Sequence, residues 1–309
     1  MFSSPKVAVL LPTYNGALFL GRQLQSLLDQ SMQDFVIITR DDGSTDETRS
    51  VVQSYLEKTP HRFHRIEDDK GNLGASHNFS LLMQYVLDHG RPLGLQNCYL
   101  MLCDQDDIWE SNKIEVELDA ISALEQQHPN SPLLVHSDLT VIREDESLIA
   151  ESFLSYQGLD AANKALRNIT FSNTVTGCTA LFNQQLVRKA LPVPAEAMMH
   201  DWWLAMVAAA FGHIQFIPRS LVRYRQHGQN TLGASEFIPR NVFSRTTIKQ
   251  LFRTNPEPLL KAVASQSEAF SARYGKELSL PDRRRLTLAG WLRTDSFFVQ
   301  RILFRLLKL

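Results

Sequence analysis

Tyr99-Leu100-Met101-Leu102-Cys103-Asp104-Gln105-Asp106-Asp107-Ile108-Trp109 is an apolar run that ends in three carboxylates within four residues. Such a run reads as a buried strand delivering an acidic cluster to the carboxyl edge of a sheet, where open α/β folds bind ligands. Adjacent carboxylates repel and lose hydration, so a divalent cation between them is the simplest way to keep them there. Asp107 or Ser111 would also serve as a cap for the helix that Lys113 to Leu124 suggests, but capping needs one acceptor, not three. A calcium loop of the EF-hand kind wants a small residue at its sixth position, and counting from Asp104 that place holds Trp109. An aspartyl phosphatase can also begin with Asp-x-Asp after a strand, and at this point that chemistry stays open.

Upstream, the same unit recurs. Val7 to Leu11 is a short apolar run stopped by Pro12-Thr13-Tyr14-Asn15-Gly16, and Leu18 to Leu28 then has helical spacing. Phe35 to Thr39 runs into Asp41-Asp42-Gly43-Ser44-Thr45-Asp46 and a helix through Val51, Val52 and Tyr55, for which Ser44 or Thr45 is a good cap. Phe63 to Glu67 reads as a third strand, followed by Gly71-Asn72-Leu73-Gly74 and a helix through Phe79, Leu82, Met83 and Val86. The run at 99–103 is then the fourth strand. Strands alternating with helices predict an α/β fold with a mostly parallel sheet flanked by helices, its functional loops at the strand C-termini.

Downstream, Leu133 to Ile142 and Gly177 to Phe182 are strand-like, and Trp202 to Phe211 is an apolar helix behind His200-Asp201. This half is expected to complete the sheet and supply a second substrate pocket. Alternation over Leu221 to Gln226 puts Arg223 and Arg225 on one strand face. From about Arg240 basic and apolar residues interleave, an amphipathic tail that suits either packing on its own domain or docking to an anionic membrane surface.

The chain has 309 residues, 44% of them hydrophobic, and a formal charge of −1, which allows a full core and gives no footprint for nucleic acid as a partner. Cys98, Cys103 and Cys178 lack a metal-like spacing and leave an odd thiol, so buried free thiols in a reducing compartment are expected. No secretory signal or run of eighteen apolar residues is visible, which predicts a cytoplasmic protein.

In order and spacing, Pro12 to Gly16, Asp41 to Asp46, Asn72 to Gly74, Asp104 to Asp107, His200 to Trp203 and Tyr224 to Asn230 together resemble the family 2 glycosyltransferases of GT-A fold. Within that family, Asp104 to Trp109, His200 to Trp203 and Arg225 to Asn230 look most like bacterial rhamnosyltransferases of O-antigen and rhamnan synthesis. The resemblance runs from about Lys6 to Gly233. It makes the phosphatase less attractive, because the signature Asp of those enzymes usually opens the fold, whereas Asp104 follows the fourth strand.

The resemblance implies a GT-A domain over 1–239, with a nucleotide-sugar-binding half at 1–131 and an acceptor half at 132–239, then a basic helical tail at 240–309. It implies that Pro12, Thr13, Tyr14 and Asn15 line the base and ribose, with Asn72 and Gly74 nearby. Asp42 or its neighbour Asp41 would accept from a pyrimidine imide or a ribose hydroxyl. Asp104 would contact ribose or a metal-bound water, Asp106 would bind Mg²⁺ or Mn²⁺, and His227 would complete the metal shell or contact the diphosphate. Arg225, with Arg223, would set positive charge on phosphate oxygens. Asp201 matches the base of inverting members, with His200, Trp202 and Trp109 shaping the acceptor pocket. The implied partners are a dTDP- or UDP-sugar donor and an oligosaccharide or lipid-linked acceptor, at a site that is cytoplasmic or peripheral on the inner face of the cell membrane. A catalytically silent nucleotide-sugar-binding scaffold is the alternative of another class.

Overall fold

The computed structural model describes residues 7–228 and 258–308. The first half alternates as the sequence pattern predicts: β1 (Val7–Thr13), α1 (Ala17–Leu28), β2 (Phe35–Asp41), α2 (Thr48–Lys58), β3 (Phe63–Ile66), α3 (Ala75–His89) and β4 (Tyr99–Leu102). These four strands are mutually parallel in the order β3-β2-β1-β4. β1 is buried on both faces, as a continuous Val-Ala-Val-Leu-Leu run requires when helices cover both sides. Leu20, Leu24 and Leu27 of α1 enter one core cluster with Val7, Val9 and Leu11, while Ala8 and Leu10 face the other cluster with Phe79, Leu82 and Met83 of α3.

The second half continues with β5 (Ile108–Trp109), α4 (Lys113–Gln127), β6 (Leu133–Ile142), β7 (Leu148–Ala150), α5 (Phe153–Gln157), α6 (Leu166–Ile169), β8 (Ala180–Phe182), α7 (Gln184–Ala190), α8 (His200–Phe211) and β9 (His213–Arg225). It extends the same nine-stranded sheet beyond β4 in the order β8-β6-β9-β5, with β7 on β6. The sheet is therefore mixed: β8 is antiparallel to both β4 and β6, β5 is antiparallel to β9, and β6 and β9 are parallel. All three thiols are free and buried.

Two caps are not where the sequence suggested. α2 begins at Thr48 after Glu47, beyond Ser44 and Thr45. Ser44 instead receives the Asn15 N–H and donates to Asp41, and Asp46 accepts from both Thr48 N and Ala17 N. α4 begins at Lys113 after Asn112, so neither Asp107 nor Ser111 is its N-cap.

The C-terminal helices α9 (Pro258–Tyr274), α10 (Leu280–Gly290) and α11 (Phe297–Lys308) gather around Leu260, Val263, Ala289, Leu292 and Leu307. Phe270 and Tyr274 of α9 reach the main core, where Phe270 meets the buried Trp203 edge to face at 5.2 Å. The boundary read at 239/240, and Gln229 and Asn230 of the last motif, lie outside the described residues. Among the described residues no helix is long and apolar enough to cross a membrane.

Candidate active site

The acidic loop follows β4 directly. A cleft of about 390 Å³ at the C-terminal edge of the sheet is lined by Asp104, Gln105 and Asp106, and also by Thr13, Asp42, Asn72, Gly177 and Asp201. Burial first, then the charges of Asp106 and Asp201, push the Asp104 carboxyl up to about 7. Asp107 is fully buried beneath the loop and is pushed well above the usual carboxylate range by burial and by its two neighbours. Its Oδ1 accepts the Arg225 N–H at 3.1 Å, which ties the loop to the end of β9. His227 follows β9, and its Nε2 stands 2.9 Å from Asp106 Oδ2.

Arg225 is placed differently from the phosphate-facing role the resemblance implies. It is 1% exposed, and its guanidinium donates to the main-chain carbonyls of Asp106 (3.0 Å) and Glu144 (2.6 Å) while lying over the Phe19 ring. Five fixed donors suit the carbonyls of a loop with no ladder of its own. Arg223 shares a carboxylate partner with Arg225, Glu146, at 3.7 Å and 3.5 Å respectively.

Across the cleft from Asp201, the loop after β1 is held by cross-bonds to its neighbours. Asn15 takes a left-handed conformation (φ 47°), which Asn tolerates, and its Oδ1 accepts from Thr45 N. Gln105 clamps Tyr14 like a missing strand, donating to its carbonyl and accepting from its N–H, both at 2.9 Å. A Cβ on Gly16 would lie 2.3 Å from the end of the Gln105 side chain, so a larger residue there must push that amide off Tyr14.

The two aspartates that open the second motif diverge. Asp42 is 2% exposed and accepts from Arg40, Leu73 N and Gly74 N, which fixes the Asn72–Gly74 loop against β2; Gly74 has φ 74°. Asp41 is half-buried, accepts from Thr13, Ser44 and Arg49, and lines a cavity of about 290 Å³ that shares Thr13 with the cleft.

Asp201 lies in the first turn of α8, whose N-cap is Met199. Its oxygens accept from Gly177 N (2.8 Å) and Trp202 N (2.6 Å), and burial pushes its carboxyl up to about 6. His200 stacks on Phe79 at 4.3 Å and lines the cleft, held neutral by burial that lowers its pKa to about 3. The two tryptophans assigned to the acceptor pocket serve the core instead. Trp109 is 2% exposed with Lys113 Nζ 4.4 Å from its ring centroid, and Trp202 commits its indole N–H to the Ile169 carbonyl.

The donor set suits a hard divalent cation. Asp104 and Asp106 open into the cleft, His227 Nε2 stands beside Asp106, and oxygen ligands with one imidazole fit Mg²⁺ or Mn²⁺. One ligand atom each from Asp104, Asp107 and Cys178 also falls within 4.8 Å of the others. Cys178 is fully buried with its thiol pushed well up, so it stays protonated and is a poor ligand for such an ion.

Four residues of the site escaped the sequence reading. Gln105 is the unassigned letter inside an Asp-x-Asp element, and Arg40 is a lone cation in an apolar strand, both visible as oddities. Gly177 and Glu146 carry no local signal, because their importance comes from partners 24 and 79 residues away.

Residues 8–185 match the model of Glycosyl transferase family 2. A dTDP-rhamnosyl transferase of Shigella flexneri, RfbG, is 24% identical over 234 residues, which are 73% of this chain and 74% of that protein. A putative teichuronic acid biosynthesis glycosyltransferase of Bacillus subtilis, TuaG, is 33% identical over 115 residues, 37% of this chain and 41% of its own length. Among solved structures, S. aureus TarS 1–349 in complex with UDP-GlcNAc has the same fold at 15% identity, with a TM-score of 0.60 over 93% of this chain and 72% of that one. The sheet, the carboxylates at its C-terminal edge and the family match over more than half its length make this chain a member of glycosyl transferase family 2.

Proposed function

We propose that the chain is a metal-dependent, inverting transferase that moves L-rhamnose from dTDP-rhamnose to a growing, lipid-linked cell-surface polysaccharide. The observation that carries the reading is a single cleft at the sheet edge in which Asp104 and Asp106 share space with Asp201, a carboxylate raised to about 6. The rhamnosyl donor is supported by the name of the Shigella relative. A UDP-hexose or UDP-N-acetylhexosamine is the competing donor, since thymine and uracil offer the same imide N–H to an acceptor such as Asp41. In this scheme residues 1–239 form the transferase unit and 240–309 its helical tail.

Thr13 and Asp41 take the base and ribose, and Tyr14, Asn72 and Gly74 close around them. Asp106, His227 and Asp104 would hold Mg²⁺ or Mn²⁺, which when bound supplies Lewis acidity for the charge building on the leaving nucleoside diphosphate. Asp201 accepts the proton of the acceptor hydroxyl as that oxygen bonds to the anomeric carbon and the bond to the diphosphate breaks on the opposite face. The N–H groups of Gly177 and Trp202 keep its carboxylate oriented, and a pKa near 6 leaves it ionised yet basic at neutral pH. Neutral His200 shapes the acceptor side without adding charge.

The test is nucleoside-diphosphate release from a panel of dTDP- and UDP-sugars with a lipid-linked acceptor extract, with and without Mg²⁺ or Mn²⁺. Metal-dependent release from dTDP-rhamnose, lost in Asp106→Ala with the fold intact, is the expected result. Release from a UDP-sugar alone overturns the donor, and nucleotide binding without release from any donor returns the protein to a silent scaffold.

A further inference from the structure

The last helix has two apolar faces, and the fold buries only one of them. Leu307 and Phe297 of α11 face inward, with Leu303 and Phe304 packed against the cluster that contains Leu260 and Leu292. At helical spacing on another side, Phe298 (70% exposed), Val299, Ile302 and Leu306 (62% exposed) face outward. Arg305 is exposed along one border of this stripe. Trp291, 61% exposed, and Leu288 add to the apolar surface on the elements that pack against α11. Four large side chains on one helix exceed the scattered surface residues that need no explanation.

Charge selects the occupant. Between residues 280 and 308 the chain carries seven Arg and Lys against two carboxylates. An apolar stripe with Arg305 at its border, on a terminal helix with cations close by in the chain, is the pattern of a helix that lies in a lipid interface. A second copy of this chain would bring the same excess of positive charge to the contact, whereas an anionic headgroup layer is complementary to it.

The position of the tail adds a reason. Fully buried Gln266 of α9 accepts the Met198 N–H at 2.9 Å, and Phe304 of α11 meets Phe171 edge to face at 5.9 Å. Met198 precedes the His200–Asp201 pair by two residues, so the tail is fastened to the acceptor side of the cleft.

We infer that the outward face of α11, with Trp291 and the neighbouring arginines, docks the protein on an anionic membrane surface and presents the acceptor side of the cleft to lipid-linked saccharides in that membrane. The second clause rests on the transferase reading above; the docking itself does not. The full chain is floated, without donor sugar, with vesicles of phosphatidylcholine alone or with about one-third phosphatidylglycerol. Phe298→Ser/Ile302→Ser/Leu306→Ser is compared with Arg284→Gln/Arg305→Gln, and circular dichroism melting checks that each variant folds. Binding to anionic vesicles is expected, about a hundredfold weaker in the apolar variant and about thirtyfold weaker in the arginine variant. Equal binding to both vesicle types, no binding, or a wild-type dimer that the serine variant converts to monomer overturns the inference. The last of these would assign the face to a second copy. If docking fails while metal-dependent sugar transfer persists, the transferase reading stands.

Discussion

Replacing Lys113 with Met tests how the acidic loop is anchored from below. Lys113 and Glu117 are both 0% exposed, one turn apart on α4, with Lys113 Nζ 2.7 Å from each carboxylate oxygen and 4.4 Å from the Trp109 ring centroid. Burial pushes the Glu117 carboxyl up to about 7, against the pull of Lys113. Removing one member of such a pair costs about 3–5 kcal/mol when the other stays charged. Here the orphaned Glu117 can take up a proton, and with a further rise of about two pKa units the loss at pH 7.5 is only about 1 kcal/mol. The penalty should shrink at pH 5.5, where Glu117 is protonated with or without its partner. Lys113→Met/Glu117→Leu replaces the pair with apolar volume and should return to within about 1 kcal/mol of wild type. Urea unfolding of wild type, Lys113→Met, Glu117→Leu and the double variant by far-ultraviolet circular dichroism at both pH values closes the cycle. A single variant whose loss is no greater at pH 7.5 than at pH 5.5, or a double variant no more stable than the single, would refute the reasoning.

Three further outcomes follow from the site and core. Turnover should fall about tenfold per pH unit below about 6 as Asp201 takes up a proton, and Asp201→Asn should lose about 10²- to 10⁴-fold at pH 7.5 with the acid limb abolished. Gly16→Ala should expel the Gln105 side chain, so it and Gln105→Ala should raise the donor KM alike, with the double variant no worse than either, in steady-state kinetics. His136 is buried neutral with its pKa lowered from 6.5 to about 4, so the unfolded chain binds the extra proton and the associated stability, full above pH 6.5, is lost as pH falls toward 4. Wild type should thus lose about 2 kcal/mol relative to His136→Leu between pH 7.5 and 5 in urea melts, a comparison that cancels the opposite contributions of the raised carboxyls Asp104, Glu117 and Asp201.

The parallel half of the sheet was legible because its strands are near-continuous apolar runs, each followed by a helix of clear period. β8 was legible as the end of the apolar run at 177–182, although the first three residues of that run are a helical turn rather than strand. β5 was harder: two residues long, it carries no periodic signal, and only pairing with β9 makes it a strand. Asp104, Asp106, Asp201 and His227 could be listed from the sequence since carboxylates and imidazoles at strand and helix ends are conspicuous. Arg225 and Trp109 are buried instead of opening into the cleft, which the sequence did not foretell: residue type announces what a side chain can do, while burial decides what it meets. Arg225 answers main-chain carbonyls, and Trp109 answers Lys113 and the core.

β8 has a consequence for turnover. By pairing with β4 through Met101–Leu181 and with β6 through Val135–Leu181, it joins the parallel half of the sheet to β6 and β9, and Gly177 at its approach grips Asp201. The acidic loop after β4 and Asp201 are therefore seated on one hydrogen-bonded floor rather than on two separate lobes, and a nucleotide entering or leaving the cleft passes the loops at the strand ends.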